Sequence, residues 1–189
     1  VEVDRQVTNL DRFEIYFPER RQFFMENRDI FAFLGESNTR PFFSRRIGIG
    51  QDSTGALAEN PILFGARLSG RINSNWRVGF MNVQTQNGQQ EKVDPQNFTV
   101  FSIQRKIKAR SNLGLFLVNK ENFNTNWEHE SAGYNRVFGS DFNLQSKDGK
   151  WNAKAYAHFS LDSLNKDGRS WGSHLIYSNR SFRGGFYQE

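Results

Sequence analysis

Two stretches of this 189-residue chain concentrate groups that could do chemistry. The first, "FPERRQFFMEN" at residues 17–27, sets Glu19, Arg20, Arg21 and Glu26 among Phe17, Phe23, Phe24 and Met25, with Arg28 and Asp29 just behind. The second, "RPFFSRRIGIG" at residues 40–50, repeats the mixture with Arg45 and Arg46. Paired carboxylates do acid–base work on sugars when held about 5–10 Å apart. Glu19, Glu26 and Asp29 are the candidates for such a hydrolase. Arginine pairs grip phosphate or carboxylate through two parallel hydrogen bonds. Arg20, Arg21, Arg28, Arg45 and Arg46 could therefore form an anion site, or an internal salt-bridge network with the three carboxylates. Residues 1–49 carry eight basic and eight acidic groups. That balance suits internal pairing better than capture of an external anion. Neighbouring arginines also stabilise ionised carboxylates, which suits an ion pair better than a general acid.

Other chemistries find little support. The chain has no Cys, which excludes disulfide scaffolds and thiolate chemistry. His129, His158 and His174 are far apart and share no ligand spacing, so neither a metal nor a cofactor is expected. "GIGQDSTG" at 48–55 lacks the Gly-Lys-Ser/Thr ending of a phosphate loop. A net charge of +5 permits anionic partners. A single-strand nucleic-acid platform, however, needs aromatics and cations on the same surface. Here they mostly fall on opposite strand faces, so no nucleic-acid partner is expected.

The elements that must position these groups are strands. Phe occurs 19 times, yet the mean hydropathy is −0.71. Apolar and polar residues must therefore interleave closely, as period-two strands require. "WNAKAYAHFSLD" sets Trp151, Ala153, Ala155, Ala157, Phe159 and Leu161 against Asn152, Lys154, Tyr156, His158 and Ser160. "PILFGARLSGRI", "FTVFSIQRKIKA" and "RVFGSDFNLQ" alternate in the same way. "NLGLFLVNKE" is apolar on both sides and harder to orient. Nine strands are expected, near 42–49, 61–72, 76–86, 98–108, 112–121, 135–146, 150–161, 171–179 and 182–188. Residues 1–41 form an irregular lead-in with a short helix near 19–33.

Loop lengths alternate. Short polar turns of hairpin type fall at 73–75, 110–112, 146–149 and 179–181. Long polar connections fall near 50–60, 87–97, 122–134 and 162–170. In an up-and-down antiparallel sheet every second loop lies at one end, and outer-membrane barrels trim one end in this way. Several expected strands reach the 9–11 residues of a tilted membrane-spanning strand. Trp76 and Trp151 each open a strand after a short turn, where an interfacial aromatic girdle belongs. A soluble antiparallel barrel or sandwich alternates in the same way; the long strands and uneven loops favour an all-β antiparallel meander forming part of an outer-membrane β-barrel, with residues 1–41 as a plug-like segment and 42–189 as barrel strands. Bacterial single-chain barrels use even strand numbers, so nine expected strands point to an open sheet that stops in mid-barrel. Its partners would be outer-membrane lipid and, along its edges, the rest of its own barrel or an edge-pairing protein of a barrel-assembly or envelope complex.

The blocks "VEVDRQVTNLDRFEIYFPERRQFFMENRDIF", "RPFFSRRIGI", "PILFGARLSGRINSNWRVGFMNVQT" and "NFTVFSIQRKIKARSNLGLFLVNKE" resemble one family. It is the domain of unknown function that follows a carbohydrate-binding family 9-like domain in large Gram-negative envelope proteins. The resemblance is strongest over Phe17–Phe24 with Glu26, and over Ser44–Gly48. It implies a C-terminal outer-membrane barrel preceded by a sugar-binding-like domain. It also implies a transport, binding or scaffold role in the envelope, tied to saccharides. Some members carry the label of membrane-associated hydrolase, with no catalytic motif behind it. This chain is shorter than the family pattern and is expected to be the N-terminal fragment of the barrel.

Overall fold

The computed structural model describes residues 19–32, 34–36, 39–51, 57–87, 93–108, 110–123, 133–164 and 167–189. Residues 1–18 of the expected lead-in, and His129, lie outside them. Eight strands form one antiparallel meander: β3 (Ile62–Arg71), β4 (Trp76–Thr85), β5 (Gln96–Lys108), β6 (Ser111–Asn122), β7 (Tyr134–Gln145), β8 (Trp151–Asp162), β9 (Gly168–Ser178) and β10 (Arg183–Gln188). Each strand pairs with its neighbours in sequence. The sheet does not close, because its edges β3 and β10 do not pair with each other. A separate two-stranded ribbon joins β1 (Ile49–Gln51) to β2 (Leu57–Glu59).

The expected first strand at 42–49 is not one. Its place is taken by a single 3₁₀ turn at Ser44–Arg46, and extended pairing begins only at Ile49. The reason is tertiary. The Arg21 guanidinium donates hydrogen bonds to the carbonyls of Ser44 (2.8 Å) and Ile47 (2.8 Å). Those carbonyls are turned toward Arg21 rather than along a strand ladder.

The short turns are held by side chains. Asn73 Oδ1 accepts from the Asn75 and Trp76 amides. Asn179 Oδ1 does the same for Ser181 and Phe182. These are Asx turns, in which a short side chain replaces a backbone acceptor.

The two faces of the sheet differ. One is covered by the lead-in. There α1 (Gln22–Met25) and α2 (Asp29–Ala32) are single turns of helix, separated at Asn27, whose φ of 43° breaks the helical run. Phe24, Ile30, Phe31, Leu34, Phe42 and Ile47 from this segment pack with Met81, Val83, Phe98, Val100, Phe116 and Val118 of β4–β6 in one core. Gly79 allows the approach, because a Cβ there would meet Phe31 Cζ at 2.7 Å and Ile30 Cγ2 at 2.9 Å.

The other face is left open by the described residues. The register aligns Leu68, Phe80, Phe101, Leu117, Phe138 and Phe159 as successive partners across β3–β8. All six are exposed, Leu68 to 67%. Leu113, Leu115, Trp151, Leu161, Trp171, Leu175 and Phe186 extend the same face and are exposed as well. The apolar character of β6 on both sides is thus explained. Phe116 and Val118 enter the core, while Leu113, Leu115 and Leu117 point away from it.

Candidate functional site

The chemistry-bearing groups gather along the seam between lead-in and sheet. The seam runs diagonally from β3 to β9. At its start, Glu19 and Arg21 form a bidentate pair, with Arg21 Nε 2.9 Å from Glu19 Oε1 and Nη2 2.9 Å from Oε2. Ser44 Oγ donates to the same carboxylate at 2.6 Å. The Arg20 and Arg21 amides donate to Glu19 Oε1, and the Arg21 guanidinium stacks 4.3 Å from the Phe24 ring centroid. The two charge-and-aromatic stretches singled out in the sequence therefore dock on each other. Burial alone would raise the Glu19 carboxyl, but the hydrogen bonds from Arg21 and Ser44 outweigh it and hold the pKa at about 2. An acid this strong stays ionised at neutral pH and cannot donate a proton.

Farther along, Arg67 of β3 donates to the Phe23 carbonyl and lies over the Phe31 ring. Asn27 bonds Ser69. Asp29 meets Arg77 of β4 at 2.6 Å. Glu19 and Asp29 are thus each engaged by a different arginine, and Glu26 is exposed. Arg28, Arg45 and Arg46 each have interactions of their own.

The most enclosed part of the seam lies over β7–β9. Asp141 Oδ2 accepts the Gly35 amide at 2.6 Å, and Oδ1 lies 2.7 Å from His158 Nε2. Lys154 Nζ is 3.7 Å from Asp141 Oδ2 and donates to the Gly35 carbonyl. Asp141 is 2% exposed and His158 4%. Gly35 sits at φ 69°, where a side chain would be strained, and its missing Cβ leaves room for His158 Cε1. Phe116 and Tyr156 flank the imidazole, with centroids 4.9 and 4.8 Å away. One strand further, His174 Nδ1 lies 2.9 Å from Glu36 Oε1.

Sequence reasoning placed Lys154, His158 and Asp141 on the polar side of their strands but did not see them as a site. It missed Arg77 altogether. The signal available was a polar side carrying a carboxylate, an imidazole and an ammonium on adjacent strands. Chemically, these groups are closed upon one another. The Asp141 carboxylate is committed to Gly35, His158 and Lys154 and presents no free oxygen to a substrate. Among the described residues no three His, Cys, Asp or Glu side chains cluster to hold a metal. The arrangement holds a chain segment against a sheet.

Residues 1–187 match the sequence model of a family described as a domain of unknown function, DUF5916. The chain belongs to that family. Comparison with curated proteins and with solved structures finds no match. For DUF5916, then, the seam and the two faces of the sheet are the features from which a function must be read.

Trp76 of β4 and Trp151 of β8, with three strands between them, each lie beside amphipathic groups at the short-turn end. Arg105 stacks 5.4 Å from the Trp76 ring centroid. Trp151 contacts Tyr177 with centroids 4.9 Å apart, and Tyr177 approaches Phe182. At the opposite end of the open face the apolar rows give way to Asn82, Asn97, Thr99 and Gln84, which bond one another.

Proposed function

We propose that this chain is part of a β-barrel in the outer membrane of a Gram-negative bacterium, with the lead-in on the lumen side and lipid against the open face. The observation that carries the reading is the open face itself. A cross-strand row of six large apolar residues, flanked by more, has no covering layer among the described residues, whereas the opposite face buries Asp141 and His158 and half-buries Lys154. Soluble monomers rarely expose apolar patches beyond a few hundred Å². Membrane barrels put apolar residues outward and polar ones inward. The dimensions agree. Trp151 to Leu161 on β8 spans about 34 Å at roughly 3.4 Å per residue. A tilt of about 40° reduces this to about 26 Å, close to the apolar band of about 25 Å in such barrels.

Of the envelope roles, binding or scaffolding is favoured over transport through an open pore, because the lead-in is packed onto the face that would line the channel. The link to saccharides comes from the resemblance of sequence blocks alone. The edges β3 and β10 call for pairing, by further strands of the same barrel or by an edge-pairing envelope protein.

Depth-dependent quenching tests the reading. Versions retaining only Trp151 or only Trp171 are refolded into vesicles whose lipids carry bromine at defined depths. Trp171, paired with Ala157 inside the apolar band, is quenched best by deep bromine, and Trp151 by shallow bromine. Absence of quenching at both positions overturns the proposal.

A further inference from the structure

The two ends of the meander carry very different charge. At the short-turn end, residues 71–77, 105–110, 146–151 and 178–183 contain ten Lys or Arg and one acid, Asp148. At the long-loop end, the described residues of 85–97, 119–136 and 161–169 contain three Lys or Arg against four acids. Nine of the ten cations of the short-turn end are exposed, including Arg105, Lys108, Arg110, Lys147, Lys150 and Arg180; the tenth, Arg77, is half-buried and paired with Asp29. The one acid is engaged within its own turn, by Ser146 and Lys150.

These turns form one rim. The Arg110 guanidinium reaches to 3.8 Å of where a Cβ on Gly149 would stand. An open cleft of about 470 Å³ lies between residues 148–150 and 178–181, with Lys150 and Arg180 in its walls. Apolar side chains are interleaved with the cations. Ile72 is 63% exposed, and Ile107 and Phe182 are exposed beside Trp76 and Trp151. Cations alone would suit any acidic partner. Cations alternating with exposed apolar groups, directly below a lipid-sized apolar band, suit the boundary between headgroups and acyl chains.

We propose that the short-turn rim is a collar that binds the phosphate groups of anionic phospholipids. The proposal rests on the membrane reading above and adds to it a side and a lipid class. Each Lys or Arg near an anionic surface strengthens binding by roughly fivefold. The effect fades where salt shortens the screening length to about 3 Å, near 1 M.

The test uses the whole chain reconstituted in phosphatidylcholine bilayers, with spin-labelled phosphatidylglycerol and phosphatidylcholine as probes of the lipid shell. The expected result is at least a fivefold preference for phosphatidylglycerol, lost in 1 M salt and in the triple variant K147Q/K150Q/R180Q. Arg136→Gln, at the other end, should leave the preference intact. A ratio near unity in the incorporated protein, or a ratio unchanged in the triple variant, overturns the collar alone. Capture of polyglutamate peptide without lipid preference also overturns it and assigns the rim to an acidic protein. Failure to enter phosphatidylcholine bilayers at all sinks the membrane reading, and the collar with it.

Discussion

Replacing Asp141 by Ala should release the lead-in from the sheet. The carboxylate is 2% exposed and joins three partners from two parts of the chain: the Gly35 amide, His158 and Lys154. Its removal leaves the Lys154 ammonium, whose side chain is 13% exposed, without its counter-charge. Breaking a buried pair by deleting one partner costs about 3–5 kcal/mol. The orphaned Gly35 amide alone would cost about 1–3 kcal/mol. These terms overlap because the same segment relaxes, so the expected total is about 3–5 kcal/mol. Asp141→Asn retains an acceptor and should lose roughly 1–3 kcal/mol. The pair D141A/K154M should recover much of the loss, since an apolar replacement of a buried ion pair is often nearly neutral. Urea unfolding in lipid vesicles, followed by tryptophan fluorescence, measures the stability. Limited proteolysis around residues 34–36 reads the docking. A D141A protein within about 1 kcal/mol of wild type, with the lead-in still protected, would refute the reasoning.

Three further outcomes follow from other contacts. The Glu19 pKa falls from 4.5 to about 2 on folding, so its contribution, on the order of 3 kcal/mol, is present above pH 4.5 and is lost as pH falls toward 2. Acid titration of stability should show that loss, and Glu19→Gln should flatten it. Gly79→Val drives a side chain into Phe31 and Ile30 and should destabilise by about 1–3 kcal/mol, with α2 displaced from the sheet as seen by faster amide exchange in residues 29–32. Leu117→Arg, on the open face, should cost about 2–4 kcal/mol in a bilayer; the same change on a water-facing sheet would be nearly neutral.

Much of the sheet was legible because strand alternation is a local signal. The rows through Trp151–Leu161 and Phe138–Leu144 could be assigned to one face from spacing alone, and Asn73 and Asn179 marked their turns. The segment at 42–49 misled, since Phe42, Ser44 and Arg46 alternate with Phe43, Arg45 and Ile47 but their backbone is claimed by Arg21, more than 20 residues upstream. The seam was legible in part. The pairing of Glu19 with Arg21 is local and follows from two-residue spacing. The meeting of Gly35 with Asp141 spans 106 residues, and Asp29 meets Arg77 across 48. No periodicity encodes such contacts. They depend on the lead-in crossing the sheet, which only packing of Ile30, Phe31 and Leu34 against β4–β6 determines.

The central claim is that the open face of the sheet meets lipid. The chain has no Cys, so single cysteines can be introduced and spin-labelled without background. Labels at positions 113, 115 and 117 of β6, compared with 116 and 118, test the claim most directly in bilayers. Contact with lipid predicts that 113, 115 and 117 collide freely with dissolved oxygen and poorly with an aqueous nickel chelate, while 116 and 118 are shielded from both. High accessibility of 113, 115 and 117 to the nickel chelate would contradict it.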